Sequence, residues 1–434
     1  VKIGLYLFDN DCRLSDNPAL SNLTSLVDSL LCIYVPSNNE WTTGKAHFKP
    51  SPVTQGYRDS TLWALQQSLV AQNQVLYVIK EKDPITTLRQ IVTTLGITHI
   101  GRTVHPGSDE HKVWLTLQDT FPDIHFSSAY SATLFTPEQL PIDLNELPPS
   151  FTPFRKKVED LVPSKPVAPP TLPPAPIHVQ NVTEFKLTTE YDGAFPAGES
   201  QAQQQLKRYF KSNAAKYYKE TRNALFGEQF STQFSPILAT GAISPRQIRH
   251  ALTLFEQQHG ANESTYWIWF ELLWREYFHW YALKHQHKLF RFSGVKHKKP
   301  HTSFYPERFQ KWCQGQTPSA LVNAIMNELT ETGWISNRAR QITASYLVNE
   351  LQVDWRYGAA FFEQHLIDYD VAANWGNWQY IAGVGADPRG GRHFNVTKQQ
   401  SLYDPHGEYI KRWQGAAGQQ LDSRDYVDWP LGSK

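Results

Sequence analysis

Between His365 and Gln400 the chain reads HLIDYDVAANWGNWQYIAGVGADPRGGRHFNVTKQQ, in which carboxylates, amides, indoles and glycines are interleaved. Asp368 and Asp370 follow a helical run, and Asn374, Gly376 and Asn377 tolerate positive backbone torsions. The pattern therefore predicts polar side chains held in a compact loop, the composition of a binding site. A second concentration lies in TYWIWFELLWREYFHWYAL, a helix apolar almost all round that still carries Glu271, Arg275 and Glu276. Buried charges are costly unless paired, and Glu271 and Arg275, four apart, can meet on one face. Either that ion pair is structural, or Trp274 is a stacking wall while Glu271 hydrogen-bonds the carbonyl or imide edge of a ligand.

Three further stretches have chemical potential. In STQFSPILATGAISP, Ser235 and Pro236 predict a helix start with serine as cap, where backbone N–H groups can hold phosphate. In GWISNRARQITASYLVNEL, Asn337, Arg338, Arg340 and Gln341 occupy the first turns of an amphipathic helix, where polar residues are ordinarily solvated. From Lys284 to Lys311 there are eight lysines and arginines against the single acid Glu307. Arg389, Arg392, Lys398, Lys411 and Arg412 extend this strip, for which phosphates are the natural partner and a solvated face the alternative.

These groups are positioned by two kinds of element. Over residues 1–130, β-rich runs (KIGLYLF, LLCIYV, VLYVIK, ITHIG, DIHFS) alternate with helical patterns at Gly56 to Asn73, Pro84 to Leu95 and Ser108 to Thr120. This predicts a Rossmann-like α/β domain with a parallel sheet. The turn after the first strand, FDNDCRLSDNPAL, lacks G-x-G-x-x-G, so a dinucleotide is not expected there. Residues 131–198 form a proline-rich connection, with eleven prolines between Pro141 and Pro176 that disfavour regular helix. From 199 to 434 helical periodicity dominates, at Gln201 to Lys219, Pro245 to Gln258, Ser264 to Leu283, Ser319 to Leu329, Asn337 to Leu351 and Tyr357 to Ile367, predicting a large all-α domain.

Bulk properties narrow the class. The 434 residues are 40% hydrophobic and 13% aromatic, enough for sizeable cores, and the net charge of +1 excludes a global affinity for nucleic acid. Fourteen tryptophans against one methionine suit packing, stacking surfaces or electron relays alike. Cys12, Cys32 and Cys313 have no paired spacing, and His285 and His287 stand alone, so neither a disulfide framework nor a metal site is expected. No apolar run reaches membrane length and Val1 to Phe8 reads as a strand, which places the expectation in the cytoplasm.

The residues singled out above resemble the photolyase and cryptochrome family. Its pattern D-x-D-x-x-x-N-x-x-x-W falls on Asp368, Asp370, Asn374 and Trp378. The continuation WQYIAGVG, DPR, RHFNVTKQ and YDPHGEYIKRW is similar to the DASH branch, with Tyr380 two residues after the tryptophan. The family's diphosphate stretch falls on Ser231, Thr232, Gln233, Phe234 and Ser235, and its upstream tyrosine on Tyr218. E-L-L-W-R-E-Y and W-x-x-N-R-x-R match its pocket helices.

The resemblance implies FAD held in the all-α domain by these residues together with Arg275, Asn337, Arg340, Asp368, Asp370 and Asn374. Arg340 would pair with Asp368, and Asn374 would lie beside flavin N5. It implies light-driven splitting of cyclobutane pyrimidine dimers in single-stranded or looped DNA, with RNA as an open alternative, by a monomer. Glu271 would hydrogen-bond the dimer, Trp274 and Tyr380 would flank it, and Asn337 and Gln341 would complete the pocket. Trp355 and Trp378 match two members of an electron relay whose outer tryptophan falls on Thr302, so Trp312, Tyr305 or another aromatic must substitute. A reduced folate antenna (methenyltetrahydrofolate) would sit between the domains, its acidic contact falling on Glu110, for which a solvated helix charge competes. FTPFRKKVE resembles a packed DASH linker. Other readings of the same residues are a blue-light photoreceptor or regulator that binds FAD and DNA but repairs little, and a light-independent nucleic-acid-binding protein.

Overall fold

The structure, a computed structural model, describes residues 1–36, 42–43, 46–47, 49–79, 84–177, 179 and 182–421. The strands are β1 (Ile3–Phe8), β2 (Ser29–Tyr34), β3 (Thr42–Thr43), β4 (Ala46–His47), β5 (Leu76–Val78), β6 (His99–Thr103), β7 (His125–Ala129) and β8 (Thr183–Glu184). Helices α1 (Pro18–Thr24), α2 (Pro52–Val70), α3 (Pro84–Leu95) and α4 (Ser108–Thr120) alternate with them, and α5 (Phe151–Val158) follows. The remainder is helical: α6 (Glu199–Lys211), α7 (Tyr218–Thr221), α8 (Ser235–Ala239), α9 (Pro245–His259), α10 (Glu263–His285), α11 (Pro306–Cys313) and α12 (Ala320–Thr332). They are followed by α13 (Asn337–Asn349), α14 (Trp355–His365), α15 (Val371–Ala382), α16 (Val396–Tyr403) and α17 (Glu408–Arg412).

The main sheet runs β7-β6-β1-β2-β5-β8, parallel throughout except for β8, which pairs antiparallel with β5. Parallel strands buried on both faces need apolar residues at every position, and β2 is buried along its whole length. Successive side chains point to opposite faces. Tyr6, Phe8, Cys32 and Tyr34 pack with Leu20, Leu23, Leu62 and Leu65 of α1 and α2, whereas Leu5, Leu7, Leu31 and Ile33 pack with Leu88, Ile91, Trp114 and Leu117 of α3 and α4. The sheet is thus covered by two helices on each side. The antiparallel strand β8, from within the proline-rich connection, was absent from the sequence reading because two paired residues leave no periodicity.

A larger core belongs to the helices. It extends from Leu134 to Tyr409 and takes in Phe151, Phe154 and Val158 of α5 together with the fully buried Trp280, Trp312, Trp355, Trp375 and Trp378. Helix α10 lies within it, packed on α5, α7, α9 and α15.

Three local expectations are corrected. The pattern from Gln201 to Lys219 is not one helix: α6 ends where Ser212 turns its hydroxyl onto Tyr209 O and accepts from Ala214 N, so a polar side chain takes the place of helical backbone bonding. The prolines do not forbid helix at Phe151–Val158, because Pro153 lies in the first turn, where its missing N–H has no intrahelical partner to lose. The stretch after Asp370 is mostly helix and not loop. Asp370 caps α15 by accepting from Ala373 N at 2.9 Å, and eight of the twelve residues of this helix are buried where it packs on α10, α13 and α14. Gly376 is there for contact and not for turning, since a Cβ would stand 2.3 Å from the ring of Phe278.

The sheet region and the helices meet across a polar seam. Arg13, fully buried, donates to Gly241 O at 2.9 Å, Ser131 O at 2.6 Å and Asp16 O at 2.7 Å. Asp16 accepts from Ser244 Oγ and pairs with Arg246 at 3.1 Å. Gly241 sits at φ +68 with Asn10 O only 2.0 Å from where a Cβ would be, so the approach of the two halves requires glycine there.

Candidate active site

A cavity of about 390 Å³ opens between α7, α8, α10, α13 and α15. Its wall brings together Tyr218, the whole of Ser231 to Ser235, Glu271, Trp274, Arg275, Asn337, Arg340, Gln341, Asp368, Asp370, Asn374, Trp378 and Tyr380. These come from segments spread between Tyr218 and Tyr380 in the chain. The convergence of the singled-out polar residues on one cavity is the main finding about the site.

The two aspartates are held in different ways. Asp368 Oδ2 takes a hydrogen bond from Arg340 at 2.6 Å, while its buried Oδ1 has no partner. Asp370 Oδ2 lies 2.7 Å from His279 Nε2 and 3.5 Å from Arg275. Burial alone would raise the Asp370 carboxyl, but His279 and Arg275 outweigh it and hold it far below the ordinary carboxylate range. Burial and the neighbouring Arg275 cation push His279 down, with Asp370 opposing them. Asn374, on the first turn of α15, donates to Ala359 O at 3.0 Å, which fixes its amide against the wall.

Ser231 Oγ is likewise buried without a partner. Gln233 is in the left-handed region at φ +52, its carbonyl held by Gln205 Nε2 at 3.0 Å. The expected serine cap is corrected: Phe234 occupies the cap position, Ser235 is already helical, and its Oγ accepts from Trp334 Nε1 at 3.2 Å. The segment is shaped by these side-chain contacts, not by a capped helix start.

On the opposite wall the expected Glu271–Arg275 pair is not formed. Glu271 instead pairs with Arg222, whose guanidinium lies 4.4 Å over the ring of Trp267, while Arg275 turns to Ala132 O at 2.6 Å and to Asp370. The i,i+4 spacing made the pair possible, but Arg222 and Asp370 offered each residue a partner from another element. Burial raises the Glu271 carboxyl above its ordinary value against the pull of Arg222. Trp274 is braced face to face by Phe151 at 3.8 Å and edge-on by Tyr380 at 5.8 Å. The Tyr380 hydroxyl bonds to Arg392, which also lies 5.0 Å over its ring and pairs with Asp387 at 2.8 Å.

Sequence reasoning missed Arg222 and His279. A signal for Arg222 existed, four residues after Tyr218 in YYKETRN and thus on the same helical face. His279 had none, since a lone histidine in an apolar helix reads as core.

Three singled-out residues lie away from this wall. Trp355 is fully buried against Trp375, with ring centroids 5.8 Å apart, and donates to Phe292 O at 3.0 Å. Trp312, one of the residues expected to stand in for the outer relay tryptophan, is fully buried, and its ring meets the cavity-lining Trp378 at 6.3 Å. Glu110 faces a second cavity of about 150 Å³ between the sheet region and the helices, 3.5 Å from His105, so it is not a solvated helix charge.

The basic strip is partly spent internally. Lys284 donates to Asn145 O and Leu147 O, Lys311 pairs with Glu307, and Lys296 and Lys298 reach Asp387 O and Gly390 O in the loop after α15. Arg291, Lys299 and Arg389 are exposed. Among the described residues no group of three or more metal-ligating side chains gathers, and no helix is long and apolar enough to cross a membrane.

Comparison with known proteins agrees with this geometry. Residues 4–175 match the sequence model of DNA photolyase, and residues 267–424 match that of the FAD binding domain of DNA photolyase. A Vibrio parahaemolyticus protein named cryptochrome DASH is 46% identical over 437 residues, covering 99% of this chain and 97% of the relative. An Arabidopsis thaliana chloroplastic/mitochondrial cryptochrome DASH is 35% identical, covering 95% and 75%. The crystal structure of a Synechocystis cryptochrome superposes with a TM-score of 0.85 at 35% identity, covering 95% of this chain and 88% of that one. A class III photolyase from Agrobacterium tumefaciens gives 0.79 at 25%, covering 95% and 86%.

The residues present fit FAD. Asp368 Oδ1 and Ser231 Oγ are buried polar atoms in want of a partner, and a flavin imide and a dinucleotide's hydroxyl and phosphate groups carry the complementary chemistry. With an FAD-binding domain whose cavity is built this way and relatives aligned over almost its whole length, the chain belongs to the photolyase and cryptochrome family, in its cryptochrome DASH branch.

Proposed function

We propose that the protein splits cyclobutane pyrimidine dimers by light, preferentially in single-stranded or looped DNA. The observation that carries this reading is that Glu271, Trp274, Gln341 and Tyr380 line the same cavity as Asp368, Asp370 and Asn374. The chemistry that bound, reduced and light-excited FAD would supply is the loan of one electron to a dimer, returned once the ring had opened, so that the net redox change would be zero. The protein's part is to hold both partners still. Tyr218, Ser231 to Ser235, Arg275, Asn337, Arg340, Asp368, Asp370 and Asn374 are proposed to hold the cofactor.

Glu271 faces the lesion side. Its raised carboxyl keeps a proton more readily than an ordinary glutamate, which suits a donor to a pyrimidine oxygen on which negative charge grows. Trp274, braced by Phe151, offers a fixed apolar face, and Tyr380 closes the pocket edge-on to it. A lesion pulled from duplex must be unpaired at a cost of a few kcal/mol. Tyr380 and Gln341, both polar, provide little apolar surface to offset that cost, whereas a single strand avoids it. Exposed Arg291, Lys299 and Arg389 would meet the phosphates. Trp378, and Trp355 behind it, are proposed for electron supply, Glu110 and the second cavity for a folate antenna, and the setting is a cytoplasmic monomer.

The name cryptochrome borne by the relatives favours light sensing as a second reading. One assay separates the two: the reduced protein is illuminated with dimer-bearing oligonucleotides, single-stranded and duplex, and restored pyrimidines are counted. Repair of the single strand, reduced by at least about tenfold in Glu271→Ala, is expected. Absence of repair in both substrates from protein that carries FAD would leave the sensor.

A further inference from the structure

A train of aromatic rings leads from the main cavity toward the surface of the helical half. Trp378 lines the cavity and meets Trp312 of α11 with ring centroids 6.3 Å apart. Trp312 meets Phe309, one turn earlier on the same helix, at 6.1 Å, and Phe309 meets Tyr357 of α14 at 5.6 Å. Tyr357 is half-buried, and the exposed Phe304 lies face to face with it at 4.0 Å. Backbone holds this last pair in place: Ser303 N donates to Gln352 O at 3.0 Å and Asp354 N to Ser303 O at 2.7 Å, which ties the Phe304 segment to the start of α14. The branch through Trp355 has threonine where the family pattern has its outer tryptophan, and the Thr302 hydroxyl is buried without a partner.

We propose that Trp312 and Tyr357 form a second branch of electron supply to Trp378, with Tyr357 as its outer member. This rests on the reading that FAD occupies the main cavity and that Trp378 is the side chain that gives up an electron to it. Trp378, having lost one electron, takes one from Trp312, and Trp312 takes one from Tyr357. Phenylalanine is too hard to oxidise to hold the vacancy, so Phe309 serves as medium and the electron crosses it in one hop. Tyr357 loses one electron and its phenol proton goes to water, which leaves a neutral radical. One electron has then moved from Tyr357 to the cavity. A thiol in solution returns one hydrogen atom to the phenoxyl oxygen and becomes a thiyl radical, so atoms and electrons balance.

The surroundings of each ring suit its place in the order. Trp312 is fully buried and donates its indole N–H to Thr343 O at 3.2 Å. A backbone carbonyl is a poor base, so oxidised Trp312 keeps its proton, stays a strong oxidant and passes the vacancy on. Burial and the Asp354 carboxylate raise the Tyr357 phenol, against Arg356, so the proton stays on the ring until an electron leaves it. Loss of that proton then traps the vacancy, because an oxidised phenol is a far stronger acid than a phenol. Tyr305 fits the outer position less well, since the Arg308 guanidinium lies 4.4 Å over its ring and opposes a positive vacancy there.

The test reads radicals by electron paramagnetic resonance, with deuterated tyrosine to identify a tyrosyl signal. In one arm, full-length protein containing FAD is illuminated without external reductant. In the other, FAD-free protein carries a ruthenium polypyridyl photo-oxidant on Asn377→Cys, an exposed position on the cavity wall next to Trp378 in the chain, and is flashed with an electron-accepting quencher. The ruthenium protein also carries Cys313→Ser and Tyr380→Phe, so that neither a second thiol nor a neighbouring tyrosine confuses the reading. A tyrosyl radical is expected in both arms. It should vanish in Tyr357→Phe and in Trp312→Phe, which keeps Tyr357 itself, and persist in Trp355→Phe. A tyrosyl signal that survives in either of the first two folded variants, or is lost in folded Trp355→Phe, would overturn the branch. So would its absence from the ruthenium arm without further substitution. A signal confined to the ruthenium arm would uphold the branch and count against FAD in the cavity.

Discussion

At the scale of single residues the site contrasts two carboxylates two positions apart. Asp370 is held by a histidine and an arginine and serves as helix cap at the same time, so all of its bonding is internal. Asp368 has one internal partner, Arg340, and one oxygen left over. A carboxyl oxygen with spare acceptor capacity against a cavity suits a ligand N–H or O–H, and Asp368 is therefore the proposed anchor. Replacing Arg340 with methionine strands that buried carboxylate, which costs about 3 kcal/mol. Purified Arg340→Met protein should contain substoichiometric FAD, measured by absorbance after denaturation, and melt earlier than wild type. Retention of a full complement of flavin would show that the pair is not needed to fix Asp368.

At the scale of elements, the site depends on how closely α15 approaches α10. Gly376 sets that distance, so Gly376→Ala must move α15 away from Phe278 and carry Asn374 and Trp378 with it. A loss of about 1–3 kcal/mol in stability is expected from the overpacking, with weaker flavin retention measured on the same preparation. A second element-level contact joins α12 to α17, where the Tyr409 hydroxyl donates to Glu328 in a buried setting. Burial raises the Glu328 carboxyl to about 8, while in the unfolded chain it titrates as an ordinary carboxyl. Between those two values the folded state binds the extra proton, so this group's contribution to stability falls as pH rises through about 8. Glu328→Gln, which cannot ionise, should flatten that decline: thermal melts compared at pH 6 and pH 9 should show the variant gaining on wild type at the higher pH. An equal drop in both proteins would assign the pH dependence elsewhere.

At the scale of the whole molecule, the seam joins a buried arginine network to an apolar cluster in which Tyr57 of α2 meets Phe230, Trp334 and Ile367. Arg13 and Arg246 are both buried, and Asp16 is the carboxylate that answers Arg246 while its own backbone carbonyl accepts from Arg13. Asp16→Ala leaves Arg246 buried and uncompensated, at a cost of about 3–5 kcal/mol. The expected signature is loss of coupling: calorimetry should resolve two transitions where wild type shows one, and protease should cut the proline-rich connection faster. A single transition in the variant would mean that the remaining seam contacts suffice. The same seam carries the second cavity.

Much of this was legible in the chain alone, for identifiable reasons. Helices α3 and α4 match the sequence pattern end to end, and α9, α10, α13 and α14 match it within about two residues, because each buries one stripe and displays another, or is buried all round. The polar residues of the site were legible because polar groups at apolar spacing have no packing reason to be there. Residues 371 to 382 were misread because glycine and asparagine signal turns locally, whereas burial against three neighbouring helices stabilises this segment as helix. The partner of Glu271 was misread for a related reason: spacing says which side chains can meet, not which partner is nearer once Arg222 arrives from another helix. Local periodicity and residue chemistry determined the element types and the family resemblance. Only tertiary structure decided that distant segments close on one cavity, that Asp368 keeps an oxygen free, and that His279 answers Asp370 from another helix, because those facts depend on contacts between residues no local pattern relates.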